Sequence, residues 1–525
     1  MSSPMEIKDD LLFVEKPAGI NTHRSEPVAA WEQAGSMGLC ELLEKDLNRK
    51  VYVVHRLDQG TSGIMVFALN SERARAVAEL FEKRLIKKTY VFVTDRKSEV
   101  SEFRVCSKIE RVGNNYVSEI CDEAKANAIT DFVRVKRTPF FELWKALPKT
   151  GRPHQIRLHA SQKNLPIYGD THYGGTPAQR IYLHSNEIII SEDLKAASPL
   201  PRLFERLGLL KDSNLEPMMN GLDRRQRLFD FLGTPESALR LSHLESPDFR
   251  MDLFGPCGWV YWYKSQPLKQ KDLERWQTVS RILGRPLWVR QMLNRGAENL
   301  SSDLVAIESP PERWIFQENH VKFEARCDQG LSPGLFLDQR SQRKWVLENS
   351  KDKKVLNLFA YTCGFSVAAA VGGAAQVTSV DTSKNFIEWG KGNFQLNKVD
   401  PLQHEFFVSD VGFFLDRALA KQRKFDLIIL DPPSFGRSKE GVFKIQKDLP
   451  KILAQCEASL APRGQILVSC NYEEWDYSQF EKMVKSSLKN QQVKIQRNEP
   501  TLDFELPGEV PLLKSALVHP LHPRE

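Results

Sequence analysis

Up to about Ser191 the chain alternates short apolar-rich runs with charged and turn-forming residues: LLFVEKP, KKTYVFVT, AITDFVRVKR, FFELWKALP and EIIIS. Runs of that length and alternation predict half-buried strands, and SERARAVAELFEKRL carries the three-to-four spacing of an amphipathic helix. Residues 1–195 are therefore expected to form a mixed, largely antiparallel α+β domain. Residues 196–235 combine Pro punctuation with helical spacing and few strand signals, which predicts a helical connector. Between 236 and 324, GWVYWYKS and PLWVRQML read as strands around the helix DLERWQTVSRIL, a small α+β module. From 325 to 525 the period alternates regularly: KVLNLFAY, FSVAAAVGGA, QVTSVD, SKNFIEWGKGNFQLN, EFFVSD, VGFFLDRALAKQ, FDLIILDPP, FKIQKDLPKILAQCEASL and GQILVSCN. Strand–helix alternation implies a parallel sheet covered on both faces, an α/β Rossmann-like domain. No fixed-period repeat or low-complexity tract interrupts the pattern.

Length and charge set the context. At 525 residues the chain suffices for about three domains, each with its own core. The net charge of +7 favours a polyanionic partner, with nucleic acid first among them. MSSPMEIKDD lacks the basic-then-apolar order of a secretory signal, and no segment has the apolar length of a membrane helix, so a cytoplasmic location is expected. The eight cysteines are scattered without a CxxC or Cys/His spacing. Reduced thiols and no structural metal are expected.

VVHRLDQGTSG ends an apolar run with His55, Arg56 and Asp58 before a turn through Gly60 and Gly63. An aspartate in such a place is often only a turn residue. Two further stretches change the weighing: KKTY at 87–90, and GRPHQIRLHASQKNLPIYGD at 151–170, where Arg152, His154, Arg157 and His159 sit among apolar positions. The alternation there predicts a strand, and a buried arginine on it requires a charged partner. Together with LLFVEKPAGINTH and RIYLHSNEI, these stretches resemble the ordered motifs of RluA-type RNA pseudouridine synthases over about residues 10–191. The resemblance implies that Asp58 is the catalytic aspartate, Arg157 the arginine paired with it, and Tyr90 the tyrosine stacked on the target base. Pro153 stands where the family has threonine.

The chemistry explains the carboxylate. Uridine is cut from its ribose, turned, and rejoined through carbon 5 without a cofactor, so one group must stabilise or trap an electron-poor sugar. Arg157 would keep Asp58 ionised and oriented. Tyr90 would serve as a platform for a base pulled from its stack and help remove the carbon-5 proton. His55 and Arg56 are expected to position RNA phosphates.

In the last segment, VLNLFAYTCGFSVAAA places Phe359, Tyr361 and Gly364 at a strand-to-helix turn, and VTSVD ends the second strand with Asp381. A carboxylate there is placed to accept ribose hydroxyls, and ligands bind at the carboxyl ends of strands in such sheets. Asp410 ends the third strand, and Asp431, Pro432, Pro433, Ser434 and Phe435 follow the fourth. These features resemble a class I S-adenosylmethionine-dependent methyltransferase, and more closely the large-subunit ribosomal RNA methyltransferases that carry GLFLDQR ahead of the first strand, here residues 334–340. The resemblance covers about residues 236–525. It implies that S-adenosylmethionine is the cofactor, Asp381 the ribose-binding acid, Asp410 the adenine-side acid, and Asp431 to Phe435 the catalytic loop, with Pro432, Pro433 and Phe435 against the substrate.

Methylation of cytosine carbon 5 requires a thiolate to add to the neighbouring carbon, whereas a guanine nitrogen needs none. Cys470, at the end of the fifth strand, stands where 5-methylcytosine enzymes of this group carry their nucleophile, although Asn471 replaces the second serine of their Ser-Cys-Ser stretch. Cytosine is therefore favoured, with guanine nitrogen the alternative. Cys363 is expected to line the methionine pocket. The sequence reading is thus a fused enzyme with two activities on RNA, cofactor-free in its first half, with ribosomal RNA of the large subunit the substrate that the resemblance implies. Two rivals remain: an RNA-binding assembly protein with one lapsed half, and a methyltransferase acting on a protein or small molecule. The modified positions and the oligomeric state stay open.

Overall fold

The computed structural model describes residues 5–23, 38–113, 115–212, 215–228, 236–264, 266–292, 304–330, 332–433, 435–438, 441–488, 493–498, 501–504 and 512–520. It divides into two compact units, one of residues 1–233 with 244–246, the other of 234–243 with 247–525. Among the described residues, no helix is long and apolar enough to cross a membrane.

The first unit is organised on an eleven-stranded sheet. Its central strands are Leu11–Lys16, Ser62–Ala68, Leu183–Ile189, Lys87–Thr94, Glu142–Pro148 and Ala128–Arg137, in that spatial order. All its pairings are antiparallel except that of Ser62–Ala68 with Leu183–Ile189, so two distant stretches of chain run side by side through the middle. Ser62–Ala68 is buried at every residue, which fixes it as a central strand. Ser71–Glu82 forms the expected helix, its N-terminus capped by Asn70, which accepts from the Arg73 amide at 2.8 Å.

Two expectations are corrected here. GRPHQIRLHASQ is not a strand: Gln155–Gln162 is a helix, and every residue from Gln155 to Ala160 is buried. A short helix enclosed on all sides shows no amphipathic period, and its Ile156, Leu158, Ala160 alternation imitates a strand. The segment after 195 is not a free connector either. Its helices Arg202–Glu205 and Leu215–Leu228 bury Leu203, Phe204, Leu215, Met218, Met219 and Leu222 and belong to the first compact unit.

The second unit begins with a five-stranded sheet in which helix Gln270–Leu283 joins parallel strands Cys257–Trp262 and Leu287–Gln291, as expected of the module. A hairpin, Arg313–Glu318 with Val321–Arg326, follows. A seven-stranded sheet follows: β1 Lys354–Leu358, β2 Gln376–Asp381, β3 Glu405–Val408, β4 Phe425–Leu430, β5 Leu460–Cys470, β6 Val493–Arg497 and β7 Lys514–Pro520. Their order is β3-β2-β1-β4-β5-β7-β6, with only β7 antiparallel to its neighbours. The order reverses between β1 and β2 on one side and β4 on the other, and a crevice forms outside the carboxyl ends at such a point. Four buried residues of β1 and five of β4 enclose the sheet at this point.

Candidate active sites

Asp58 occupies a turn closed by its own carbonyl, which accepts from the Thr61 amide at 3.0 Å. Lys16, at the end of its strand, ties this turn down from beneath. Its ammonium donates to the carbonyl oxygens of Pro17 (3.0 Å), Ile20 (2.7 Å) and Gln59 (3.1 Å). Burial first, and Arg180 second, lower the Lys16 pKa to about 7, against the opposite pull of Asp58. Gly63 makes the close approach of the two central strands possible: at φ +114°, a Cβ there would stand 2.1 Å from the Ser185 carbonyl oxygen.

Arg157 reaches Asp58 from the buried helix. Its Nη1 donates to Asp58 Oδ2 at 3.3 Å, while Nε and Nη2 grip Asp170 at 2.7 and 2.8 Å. Asp170 is 1% exposed, so the buried charge required for Arg157 is chiefly Asp170, with Asp58 a second and looser partner. Tyr90 stands on strand Lys87–Thr94, its hydroxyl pKa pushed up to about 12 mainly by burial, and is neutral at physiological pH. Asp58, Tyr90, Arg157, Lys88, Arg56 and Tyr116 line one cleft of about 570 Å³, room for an unstacked nucleotide with cations at the rim.

His55 is corrected. Its Nε2 accepts from the Val66 amide at 3.0 Å, its ring stacks on Phe81 at 4.9 Å, and burial, then Lys88, drives its pKa to about 3. A neutral ring used in this way is a structural brace, not a phosphate-binding cation. Arg56 is exposed at the cleft.

At the second site, the turn after β1 places Phe359, Tyr361 and Cys363 in the left-handed region, with φ of +56°, +48° and +63°. Each such non-glycine residue costs on the order of 1–3 kcal/mol. The turn is held by Asp381, whose Oδ2 accepts from the Tyr361 amide at 2.8 Å and whose Oδ1 accepts from the Ser383 amide at 2.9 Å. The Tyr361 hydroxyl donates to the Ser332 carbonyl at 3.0 Å. Beneath, Asn357 and Ser379 both donate to the Ser366 hydroxyl, at 2.9 and 2.8 Å. Gly364 opens the following helix, and a Cβ there would lie 2.6 Å from Leu335.

Asp410 caps helix Val411–Ala420, accepting from the Phe413 amide at 3.2 Å, and the Ser409 amide donates to the Asp381 carbonyl at 2.9 Å, so both acids stand at adjoining strand ends. Asp431 follows β4 and accepts from Gln339 Nε2 at 2.8 Å. Burial, then the Asp338 carboxylate, pushes its pKa up to about 7. Pro432 is buried and Pro433 exposed. Ser434 and the Phe435 side chain lie outside the described residues. Cys470 ends β5 fully buried in the hydrophobic core with Ile445, Leu449 and Phe480. Its Sγ accepts from the Tyr472 amide at 3.5 Å, and burial raises its thiol pKa. Cys363 is also enclosed, its thiol pushed up to about 12 by burial.

Residues 10–162 match the RNA pseudouridylate synthase family, and residues 283–483 match the S-adenosylmethionine-dependent methyltransferase family. The chain carries one domain of each. The chain is 31% identical over 280 residues to a ribosomal RNA large subunit methyltransferase K/L of Pseudoalteromonas translucida, covering 50% of this chain and 39% of that protein. It is 42% identical over 160 residues to a ribosomal RNA large subunit methyltransferase K of Neisseria meningitidis, covering 30% and 45%. The chain thus spans less than half the length of these curated relatives. A solved structure, SMU.776, described as a methyltransferase complexed with SAH, is 26% identical with a TM-score of 0.50, covering 58% of this chain and 80% of that one.

The methyltransferase domain's residues fit S-adenosylmethionine: Asp381 keeps lone pairs for ribose hydroxyls after accepting its two amides, and the strained turn lays backbone alongside it. In the pseudouridylate synthase domain, sequence reasoning singled out neither Lys16 nor Asp170. The signals existed: a lysine at the end of the apolar run LLFVEK, and an aspartate closing the stretch that carries Arg157. In the methyltransferase domain it missed Gln339 as the partner of Asp431, although GLFLDQR contains it.

Proposed function

We propose that this chain modifies RNA bases in two ways, isomerising uridine to pseudouridine at Asp58 and transferring a methyl group from S-adenosylmethionine at the crevice beside Asp431. The contact of Arg157 with Asp58 Oδ2, in a cleft shared with Tyr90, carries the first part. Asp58 meets the sugar carbon as the glycosidic bond opens, Arg157 holds the carboxylate in register, and Tyr90 supports the uracil while it turns. The names of the methyltransferase relatives support ribosomal RNA of the large subunit as substrate.

For the second part, bound S-adenosylmethionine supplies an electrophilic methyl group. Asp381 orients its ribose, and Asp431, tethered by Gln339, accepts a hydrogen bond from an N–H of the incoming base. The burial of Cys470 favours a base nitrogen as acceptor over cytosine carbon 5. Covalent addition needs an accessible thiolate, and this thiol is enclosed and made less acidic.

Both parts are tested with the purified chain and ribosomal RNA from cells lacking the gene. Release of tritium from 5-tritiated uridine reports isomerisation, and transfer of a labelled methyl group followed by nucleoside analysis reports the second product. Absence of both activities would overturn the reading. A Cys470-dependent adduct with RNA containing 5-fluorocytosine would restore cytosine.

A further inference from the structure

The catalytic carboxylate has two neighbours that approach the same oxygen. Arg157 Nη1 lies 3.3 Å from Asp58 Oδ2, and His154 Nε2 lies 3.9 Å from that atom. Among the described residues, Asp58 Oδ1 has no hydrogen-bond partner, and Asp58 is a quarter exposed to the cleft.

His154 is held where it is by unusual means. It stands in the left-handed region at φ +56°, immediately before helix Gln155–Gln162, a conformation that costs a non-glycine residue free energy. Its Nδ1 is 2.7 Å from the Tyr173 hydroxyl. The Tyr173 ring lies under the Arg157 guanidinium at 4.9 Å, and the Tyr116 ring meets the imidazole edge-on at 5.2 Å. The charged and titratable groups around it are Asp58, Arg157, His172 and Asp170, with the two tyrosines; burial first, then Arg157 and His172, keep the imidazole pKa below its ordinary value. With Nδ1 accepting the Tyr173 O–H, a neutral imidazole carries its proton on Nε2, the nitrogen that lies 3.9 Å from Asp58 Oδ2.

We propose that His154 is a positioning residue for isomerisation: its Nε2–H, fixed by Tyr173, and Arg157 together hold Oδ2 of Asp58, so that Oδ1 is the oxygen presented to the ribose anomeric carbon. The inference rests on the pseudouridine reading. In the reaction the C1′–N1 bond breaks with its electron pair leaving on the uracil while Oδ1 bonds to C1′. The uracil turns so that the electron pair at carbon 5 displaces Oδ1 from C1′; the carbon-5 proton then passes to solvent and N1 takes up a proton in its place, which keeps the product an isomer of uridine. The 3.9 Å separation closes to hydrogen-bond distance when RNA fills the cleft, as catalytic contacts commonly tighten only in the complex.

The test compares His154→Leu, His154→Gln and Tyr173→Phe with the wild type, using tritium release from ribosomal RNA labelled with 5-tritiated uridine. The glutamine amide nitrogen can reach the position of Nε2 and donate; leucine cannot. Expected for His154→Leu is a fall in kcat of about ten- to a hundredfold at unchanged KM, the range of a lost hydrogen bond to a charged group. His154→Gln should recover most of that loss, and Tyr173→Phe should show a smaller fall in kcat. A His154→Leu enzyme with wild-type kcat, or a glutamine variant as slow as a stably folded leucine variant, overturns the inference. If the wild type itself releases no tritium, the pseudouridine reading fails instead, a separate result.

Discussion

The two candidate sites each turn on an aspartate, and they differ in the charge that dominates beside it. Asp58 faces a guanidinium and an imidazole, with a buried ammonium tying down its loop. Around Asp431 the charges are mixed: after burial, the Asp338 carboxylate pushes its pKa up, and the Arg343 guanidinium and the Gln339 amide pull against that rise. The first site is assembled from distant pieces: Asp58 and Arg157 are 99 residues apart and lie on a turn and a helix. The second is built at the ends of consecutive strands, where the topology alone brings the side chains together. An anion held by a guanidinium suits a group that must meet a developing positive charge on the sugar. An aspartate pressed by a second carboxylate suits one that receives donors.

The largest expected effect separates the two sites outright. Asp58→Asn should reduce tritium release below detection while labelled methyl transfer stays at the wild-type rate. Loss of both activities together would break the comparison. The next concerns the buried partner. Asp170→Ala should destabilise the first unit by about 3–5 kcal/mol, because it leaves the Arg157 guanidinium buried and uncompensated. Chemical denaturation measures this, and a change below ~1 kcal/mol would make Asp58 the principal partner after all.

The second site should respond more mildly. Asp381→Ala should weaken S-adenosylmethionine binding by about 1.5–3 kcal/mol in calorimetry, with isomerisation unaffected. Protonation sharpens the contrast further. Because the Asp431 pKa is raised to about 7 in the fold, the folded state binds more protons than the unfolded chain between roughly pH 4 and 7. Stability of the second unit should therefore decline as pH rises through that window, by at most about 1.4 kcal/mol per pH unit from this group. Asp431→Asn should lessen the decline, as read from denaturation midpoints at pH 5 and 8. The smallest effect belongs to Cys470→Ala, which should leave the methylation rate unchanged and give no adduct to lose with 5-fluorocytosine RNA.

What the chain discloses before folding follows the same division. The order of strands and helices in the methyltransferase domain, and Asp381, Asp410 and Asp431 at its strand ends, are legible because each of those strands is a short run with an acid at or just after its end. In the pseudouridylate synthase domain the motifs were legible but their shapes were not. Arg157 was read on a strand since a helix buried all round has no polar face to reveal its period. His55 looked cationic in HRLD, and only the Val66 amide and the Phe81 ring, brought up by folding, make it a neutral brace. Cys470 was placed correctly along the chain, but its enclosure depends on Phe480 and Leu449 from two helices that sequence spacing does not bring to it.

The double grip of Arg157 on Asp170 has one more consequence. A guanidinium anchored elsewhere need not be recruited afresh in each turnover, nor follow the carboxylate as it gives up and regains its charge. It behaves as a fixed pole against which only Asp58 and the nucleotide move. The environment has been oriented at folding rather than at reaction, so little reorganisation energy is left to be supplied by the RNA when it enters the cleft.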